Sequence, residues 1–331
     1  MIEAIEEPRR LCAPSDKGEV RIPALANVAG ETVCLFDVRP EPASGAGRAF
    51  TGEVMASDLP NPNYLAYVSV DHPSDPVRFT AEPAISSDAC VASDGASITV
   101  AYGSVDGPVS YMSSRFAGPR LMPWLAYGAD LDSLAHHRLD VLYEETRADA
   151  LFATSGSTIT IDDMAFAPYV VRCGDEAHVR IAHFRRGELV DLSGPITAPH
   201  AQIDETSLAY DPAGTVILNA RIQGFEGRGA GGRLVAYSSD GLTFTCPDRV
   251  EIPDPGSNAK ALGHMLIHPH SLTARERGTI VDMRTGRILF DFGPGEFGYS
   301  DAIWAPDGTL CVVAERNNEL WEWRLAGVPG A

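Results

Sequence analysis

GYSDAIWAPDGTLCVVAE, residues 298–315, consists of an apolar segment, a turn and a second apolar segment. Pro306-Asp307-Gly308 supplies the turn, because proline and glycine provide the backbone angles that tight turns need. The β-branched and aromatic residues on either side are typical of strands. Tyr299 begins the first segment, and Glu315 ends the second where a core residue is expected. The stretch therefore predicts an antiparallel hairpin with two unusual polar side chains.

The same strand–turn–strand plan recurs along the chain, and convincing amphipathic helices are almost absent. Short strands separated by Gly, Asp and Pro turns predict an all-β fold. The strand clusters recur at intervals of roughly 40–55 residues, which is typical of propeller blades. We therefore predict a six-bladed β-propeller that occupies residues 1–331 as a single domain. A β-sandwich of this length would need two domains, and no Pro/Gly/Ser-rich linker divides the chain. The predicted strands include Val33–Val38, Ser97–Tyr102, Ala165–Arg172, His178–His183, Thr215–Ala220, Leu234–Ser238 and Ile280–Met283.

Two segments depart from this plan. Asp130–Thr146 is the segment most compatible with a helix or an irregular insertion. Pro40–Pro62 is the longest polar loop, and loops of such length are usually functional or disordered. We interpret it as an active-site loop.

One turn sequence supports the blade interpretation. Ser238–Phe244 reads SSDGLTF and approximates the Asp-box, Ser-x-Asp-x-Gly-x-Thr-Trp, in which the Asp side chain accepts hydrogen bonds from backbone amides. It is one residue short and has Phe in place of Trp. Ser69–Asp71 and Ser113–Phe116 are candidates for more degenerate copies. Asp-boxes are structural and indicate nothing about catalysis.

Composition excludes several classes of partner. The net charge is -19 and the pI about 4.8, which argues against nucleic acid and anionic membranes, because both require clustered Lys and Arg. An anionic substrate would need a locally basic pocket. No apolar run approaches 18 residues, so membrane insertion is not expected.

Residues 1–7 are acidic and show no signal peptide, so the default expectation is a cytoplasmic protein. A secreted protein trimmed to its mature form would look the same.

Metal sites are not indicated by the sequence. The six cysteines are scattered and form no Cys-x-x-Cys. His264, His268 and His270 share strand parity, but Pro269 interrupts the run and no carboxylate lies close in sequence. We therefore predict neither a metal nor an organic cofactor.

A series of short motifs resembles those of bacterial exo-sialidases (neuraminidases), of the type grouped in glycoside hydrolase family 33. Val20-Arg21-Ile22-Pro23 resembles the Arg-Ile-Pro motif of these enzymes, which fold as six-bladed propellers. The matches span residues 20–315 in family order, so they are more specific together than singly. The departures are the degenerate Asp-boxes and a longer interval between Arg21 and Asp58 than the family leads us to expect. The remaining matches are Asp37–Pro40, Asp58–Asn63, Ser87-Asp88, Asp204–Thr206 with Gly214–Arg221, Arg275–Ile280, Gly298–Ser300 and Glu315.

The resemblance implies that three arginines bind the carboxylate that sialic acids carry on the anomeric carbon. Arg21, Arg221 and Arg275 occupy the corresponding positions, and guanidinium forks suit bidentate binding of a carboxylate. Glu315 is expected to pair with Arg21, because the first and last strands of a propeller meet. Arg277 is the alternative to Arg275, and we favour Arg275 because Arg-x-x-Gly-Thr-Ile is the family-like register.

The resemblance also implies the catalytic groups. A carboxylate nucleophile would be repelled by the substrate carboxylate, whereas a neutral tyrosine is not, and sialidases are the tyrosine exception among retaining glycosidases. Tyr299 is the expected nucleophile and Glu205 its base. Asp58 is the expected acid and then base. Asp88 is expected to contact the ring substituents of the sugar, and Arg39 to support the site.

These assignments predict a retaining exo-α-sialidase that removes terminal sialic acid from a glycan through a tyrosyl-enzyme intermediate. A hydrolase of a related nonulosonic acid, deaminated or otherwise modified, is one alternative. A catalytically silent sialic-acid-binding propeller is another, and a scaffold propeller for protein partners is a third.

Overall fold

The protein is almost entirely β, and its six sheets are arranged as the blades of a β-propeller. The computed structural model describes residues 2–15, 18–40, 58–199, 201–223 and 232–327. Most of the polar loop expected at residues 40–62 lies outside these ranges. The prediction of a six-bladed propeller is confirmed.

The elements follow one another in chain order. Two short strands come first, β1 (Glu3–Ala4) and β2 (Arg9–Cys12). Blade one has β3 (Glu19–Val28), β4 (Glu31–Arg39), β5 (Tyr64–Ser69) and β6 (Val77–Arg78). Blade two has β7 (Ser86–Ser93), β8 (Ile98–Ser104), β9 (Met122–Gly128) and β10 (Ala135–Arg138), and is followed by α1 (Val141–Thr146). Blade three has β11 (Ala150–Ala153), β13 (Thr160–Ile161), β14 (Met164–Cys173), β15 (Glu176–Arg185) and β16 (Glu188–Leu192). Between β11 and β13 in the chain, β12 (Gly156–Ser157) belongs to the sheet of blade two.

The second half of the chain is more regular. Blade four has β17 (Gln202–Asp211), β18 (Thr215–Gln223), β19 (Arg233–Ser238) and β20 (Asp248–Val250). Blade five has β21 (Lys260–Leu262), β22 (Met265–Pro269), β23 (Gly278–Asp282) and β24 (Arg287–Asp291). Blade six has β25 (Ser300–Trp304), β26 (Leu310–Arg316) and β27 (Glu319–Ala326).

The ends of the chain meet in blade six. Strands β1 and β2 both pair with β27, so the first residues complete the last blade. Strand β12 lies in the chain between two strands of blade three but pairs in parallel with β7 of blade two. Strand β3 contacts both β7 and β25, which joins the first blade to the second and to the last. This closure brings side chains from distant parts of the sequence to one central region.

Apolar layers between neighbouring blades form the core. In one of them Cys34 and Phe36 of blade one pack with Cys311 and Val313 of blade six. These four side chains are fully buried. Burial of apolar area at about 25 cal/mol per Å² is the main favourable contribution to folding, so the blades are held together by layers rather than by one central core.

Three inner strands are interrupted by β-bulges, whereas β14 pairs with β15 over ten residues without a shift. The interruptions fall between Arg21 and Ala24, between Ser87 and Cys90, and between Ile203 and Thr206. A bulge bends its strand and re-aims a side chain. Ile22 adopts φ 59°, an unfavourable value for a β-branched residue that costs about 1–3 kcal/mol. The bulges thus mark the strands that carry candidate site residues.

The turn at residues 238–244 has the predicted hydrogen bonds. Asp240 Oδ1 accepts from the backbone amides of Leu242 and Thr243, both at 2.8 Å. Asp71, by contrast, accepts from the amide of Thr32 on a neighbouring strand at 2.8 Å, and so does not act as a turn residue.

The predicted insertion at residues 130–146 contains β10 and α1. No helix among the described residues is long and apolar enough to cross a bilayer.

Candidate active site

Tyr299 lies immediately before β25 and donates its hydroxyl hydrogen bond to a carboxylate 94 residues earlier. The phenol oxygen is 2.7 Å from Glu205 Oε1 and 2.8 Å from Oε2. Arg221 Nη1 lies 2.7 Å from Glu205 Oε2 and 3.2 Å from the phenol oxygen. Arg275 completes the group, with its guanidinium carbon 4.7 Å from the centre of the Tyr299 ring. We call these four residues the tyrosine cluster.

Burial controls the ionisation of this tyrosine. Tyr299 is 7% exposed, and burial raises the pKa of its hydroxyl well above the usual range, with the charge of Glu205 raising it further. The guanidinium charges of Arg221, Arg275 and Arg21 act in the opposite direction. The hydroxyl therefore keeps its proton at neutral pH, and Glu205 is placed to accept that proton when the oxygen forms a bond.

Arg21 also lies near this ring, with its guanidinium carbon 5.4 Å from the ring centre. Its Nε and Nη2 donate to Glu315 at 3.1 and 3.3 Å, which is the contact expected between the first and last blades. Glu315 also accepts from the backbone amides of Ile22 at 2.9 Å and Tyr299 at 3.2 Å. Burial alone raises the pKa of Glu315, but the charges of Arg21 and Arg275 outweigh it and the net pKa is lowered. Glu315 thus holds both Arg21 and the strained bulge beside it.

Glycine is required where Glu315 approaches the hairpin. A Cβ on Gly298 would lie 2.9 Å from the Cβ of Glu315 and closer still to its Oε2. Heavy atoms cannot occupy that space together without displacement. Gly298 therefore allows Glu315 to reach the backbone beneath Tyr299.

Of the two arginines considered for the third position, Arg275 is the one beside the tyrosine. Its Nη2 donates to the carbonyl of Gly256 at 3.2 Å. Arg277 is exposed and adopts φ 56°, and its backbone amide donates to the carbonyl of Gly295 at 3.0 Å. Within the described part of the chain, Arg275 is the member of this pair whose guanidinium group contacts the Tyr299 ring.

A second group surrounds Arg39 at the end of β4. Its Nη2 lies 2.7 Å from Asp37 Oδ2, its Nη1 lies 2.8 Å from Asp58 Oδ1, and its Nη2 lies 3.8 Å from Asp88 Oδ1. Ser87 donates a short hydrogen bond to Asp37. Arg39 is 1% exposed, whereas the side chain of Asp58 is 57% exposed. We call these five residues the Arg39 cluster.

Asp88 has the most perturbed carboxyl group of the Arg39 cluster. Burial raises its pKa to about 8, with the charge of Asp37 the next contribution and Arg39 opposing both. Its side chain is 25% exposed, and its φ of 62° follows from the bulge in β7. The charge of Glu205 also raises this pKa, which links the two clusters electrostatically.

Sequence reasoning assigned no role to Asp37, Ser87 or Asp204, although they complete the two clusters. Asp204 Oδ2 lies 3.6 Å from Arg221 Nε, and burial raises the pKa of Asp204 to about 6. Asp37 lies two residues before Arg39, so strand alternation puts both side chains on one face. That spacing was a usable signal for Asp37, whereas nothing in the sequence distinguishes Ser87.

Of the histidines that share strand parity, His268 and His270 are neighbours, with His270 Nδ1 3.5 Å from His268 Nε2, whereas His264 has a different partner. His264 Nε2 lies 2.9 Å from Asp211 Oδ2, while His268 is fully buried and burial lowers its pKa to about 3. Within the described ranges, no group of three or more His, Cys, Asp or Glu side chains is arranged to hold a metal ion.

The arrangement suits a monoanionic ligand. Three guanidinium groups from three blades lie close to the Tyr299 side chain. The guanidinium carbons of Arg21 and Arg275 are 5.4 and 4.7 Å from the ring centre, and Arg221 Nη1 is 3.2 Å from the phenol oxygen. A carboxylate could be bound there by bidentate contacts, next to a hydroxyl that is hydrogen-bonded to the Glu205 carboxylate. An exposed carboxyl group, Asp58, lies at the edge of the same region.

Comparisons with known proteins address the fold. No family model and no curated protein matches the chain. A Trypanosoma rangeli sialidase in complex with the inhibitor DANA matches with a TM-score of 0.68 at 18% identity, covering 98% of this chain and 60% of that one. A leech intramolecular trans-sialidase matches at 0.69 and 12% identity, covering 97% and 70%.

A protein of unknown function from Dyadobacter fermentans matches at 0.66 and 16% identity, covering 98% of both chains. This chain spans about three-fifths of the length of the Trypanosoma rangeli chain. At these identities the likeness concerns the fold, and the chain is a six-bladed propeller similar in structure to sialidases and trans-sialidases.

Proposed function

We propose that the chain is a retaining exo-α-sialidase, with a single catalytic propeller that removes terminal sialic acid from glycans. The observation that carries this proposal is the pair of hydrogen bonds from the Tyr299 hydroxyl to Glu205, beside three guanidinium groups. The alternative sialic-acid-binding propeller needs the arginines but has no use for a carboxylate base on a buried phenol.

Binding begins with the substrate carboxylate. Arg21, Arg221 and Arg275 hold it, with the sugar over the Tyr299 ring. This places the anomeric carbon next to the phenol oxygen. Asp88 contacts the ring substituents of the sugar, and Arg39 keeps Asp88 and Asp58 in place.

The first chemical step forms the tyrosyl-enzyme. The Tyr299 proton passes to Glu205 as the phenol oxygen bonds to the anomeric carbon and the glycosidic bond breaks. The leaving oxygen takes a proton from Asp58, so the aglycone departs neutral. In the second step Asp58 removes a proton from water, and the water oxygen replaces the phenol oxygen on the same carbon. The phenol oxygen then recovers its proton from Glu205, and the two displacements retain the anomeric configuration.

Replacement of the nucleophile tests the proposal. Wild-type protein should release 4-methylumbelliferone from its α-sialoside, and Tyr299→Phe should lower the rate at least about a thousandfold, because a phenyl ring cannot form the covalent bond. Tyr210→Phe is the matched control, since Tyr210 is 43% exposed on the surface. Undiminished turnover by Tyr299→Phe contradicts the assignment.

The same assay separates the alternatives. A silent binding propeller would bind the unsaturated sialic acid analogue but leave the fluorogenic substrate intact. An enzyme for a deaminated nonulosonic acid would turn over the deaminated sialoside faster than the N-acetylated one, so the two rates are measured side by side.

A further inference from the structure

A buried ion pair lies behind the carboxylate-binding arginines in blade four and the segment that follows it. Arg233 Nη1 is 2.7 Å from Asp254 Oδ2, and both residues are fully buried. Taking such a pair out of water is costly, and its mutual attraction does not usually exceed that cost. The pair therefore contributes little net stability, and its contacts suggest another role.

One side of the pair reaches the strand that carries Arg221. Arg233 Nε donates to Asn219 Oδ1 at 2.6 Å, and Asn219 lies two residues before Arg221 on β18. Arg233 is also the strand partner of Arg221 across β18 and β19. The Arg233 backbone and side chain thus both fix the position of β18 near Arg221.

The other side of the pair shapes the turn at residues 254–257. Asp254 Oδ1 accepts from the backbone amides of Gly256 at 2.7 Å and Ser257 at 3.3 Å. Arg233 Nη1 also donates to the carbonyl of Ser257 at 2.9 Å. These contacts orient the peptide between Gly256 and Ser257, whose oxygen is the Gly256 carbonyl.

That carbonyl is what holds Arg275, at 3.2 Å from its Nη2. Arg21 and Arg221 are instead paired with the carboxylates of Glu315 and Glu205. Among the residues that the structure describes, no carboxylate lies within 4.0 Å of the Arg275 guanidinium. A neutral carbonyl orients the guanidinium without cancelling its charge, so Arg275 keeps a full positive charge for an anionic ligand.

We propose that Arg233 and Asp254 are positioning residues for carboxylate recognition. They place Arg275 through the Gly256 carbonyl, and the contact of Arg233 with Asn219 fixes Arg275 relative to Arg221 on β18. This inference rests on the proposed function of the arginines. It assigns the specificity for a ligand carboxylate partly to two residues that cannot touch the ligand.

A double-mutant cycle tests the inference by calorimetry with the unsaturated sialic acid analogue DANA. Asp254→Asn should weaken binding about tenfold, since Arg275 loses its fixed position while keeping its charge. In an Arg275→Ala background the same change should have little further effect. The double variant R233M/D254N removes both buried charges, so it leaves no unpaired ion in the core. Its affinity for the analogue should also fall about tenfold. Multiplicative effects of Asp254→Asn and Arg275→Ala would overturn the proposal.

The methyl ester of the analogue distinguishes positioning from general damage to the site. It lacks the carboxylate charge, so Asp254→Asn should leave its affinity within about twofold. Equal losses for acid and ester would show a merely structural role. Glu322→Gln is the matched control, because Glu322 is a buried carboxylate paired with Arg324 in blade six. It should change neither affinity.

Crystal structures of Asp254→Asn and R233M/D254N decide the positioning without any sugar. The Arg275 guanidinium should leave the Gly256 carbonyl and the Tyr299 ring, and an unchanged Arg275 overturns the proposal. A wild-type protein that does not bind the analogue would overturn the proposed function, while displacement of Arg275 in the variants would still establish how it is positioned.

Discussion

The tyrosine cluster and the Arg39 cluster lie in one region of the propeller but are built differently. The first joins Tyr299, Glu205 and Arg221 from two distant blades, and its groups are mostly buried. The second joins a buried arginine to a carboxyl group, Asp58, that is more than half exposed. Both clusters draw on strand residues, but the second includes a side chain, that of Asp58, that is more exposed than buried.

This difference suits two kinds of chemistry. A nucleophile must meet one carbon atom at a fixed distance, which calls for a buried and preorganised setting. A general acid must reach a leaving oxygen whose aglycone varies, so it has to lie at the open edge. In the proposed function Tyr299, with its raised pKa and its hydrogen bond to Glu205, has the first of these tasks.

The largest expected effect is on kcat, and it comes from replacing Glu205, the proposed base, in comparison with Asp58, the proposed acid. Glu205→Gln should lower kcat by about 10³–10⁴-fold, because the amide cannot take the Tyr299 proton. Asp58→Asn should lower it about a hundredfold for a sialyl-galactoside but only a few-fold for the 4-methylumbelliferyl substrate, whose leaving group needs little protonation. Steady-state kinetics on both substrates measures the contrast.

Asp163→Asn provides the control for these kinetics, because Asp163 forms a half-exposed surface ion pair with Arg185. It should have no effect on either substrate. Equal losses for Glu205→Gln and Asp58→Asn on the activated substrate would contradict the division of roles between the clusters.

The contrast also explains what the sequence could predict. Strand alternation and turn residues were sufficient to predict a propeller, and the order of the family-like motifs pointed to Tyr299, Glu205 and Arg221 as site candidates. These residues are in strands or next to them, where position in sequence determines orientation. The distance of 2.7 Å between Tyr299 and Glu205 could not be predicted, because it depends on how blades four and six meet.

The Arg39 cluster was less predictable for a physical reason. Asp58 follows a long segment whose path sequence periodicity does not determine, and Ser87 and Asp88 sit in a bulge that shifts strand register by a residue. Their orientation depends on that shift. The ion pair of Arg233 and Asp254 was missed because nothing local to either residue indicates complete burial.

A smaller effect concerns the glycine that separates Tyr299 from Glu315. Gly298→Ala should destabilise the protein by about 1–3 kcal/mol, because the added methyl group overlaps the Glu315 side chain. Displacement of Glu315 also frees Arg21, so KM for the sialoside should rise. Gly194→Ala is the control, since a Cβ there meets nothing within 4 Å and its φ is not positive. Chemical denaturation of both variants measures the difference, and equal stability would mean that the Glu315 contact is dispensable.

The smallest effect is a pH dependence of stability that comes from the Arg39 cluster. The pKa of Asp88 is about 8 in the folded protein against 3.8 for an ordinary Asp, so the folded state binds its proton more tightly. Stability from this group is therefore fully present below about pH 4 and is lost as pH rises through 8. Asp88→Asn removes the titration, so between pH 5 and pH 8 the Tm of the wild type should fall by a few °C more than that of the variant. Differential scanning calorimetry at both pH values measures this. Parallel Tm changes would show that Asp88 is ionised throughout, and that Arg39 outweighs the burial of the carboxyl group and the charge of Asp37.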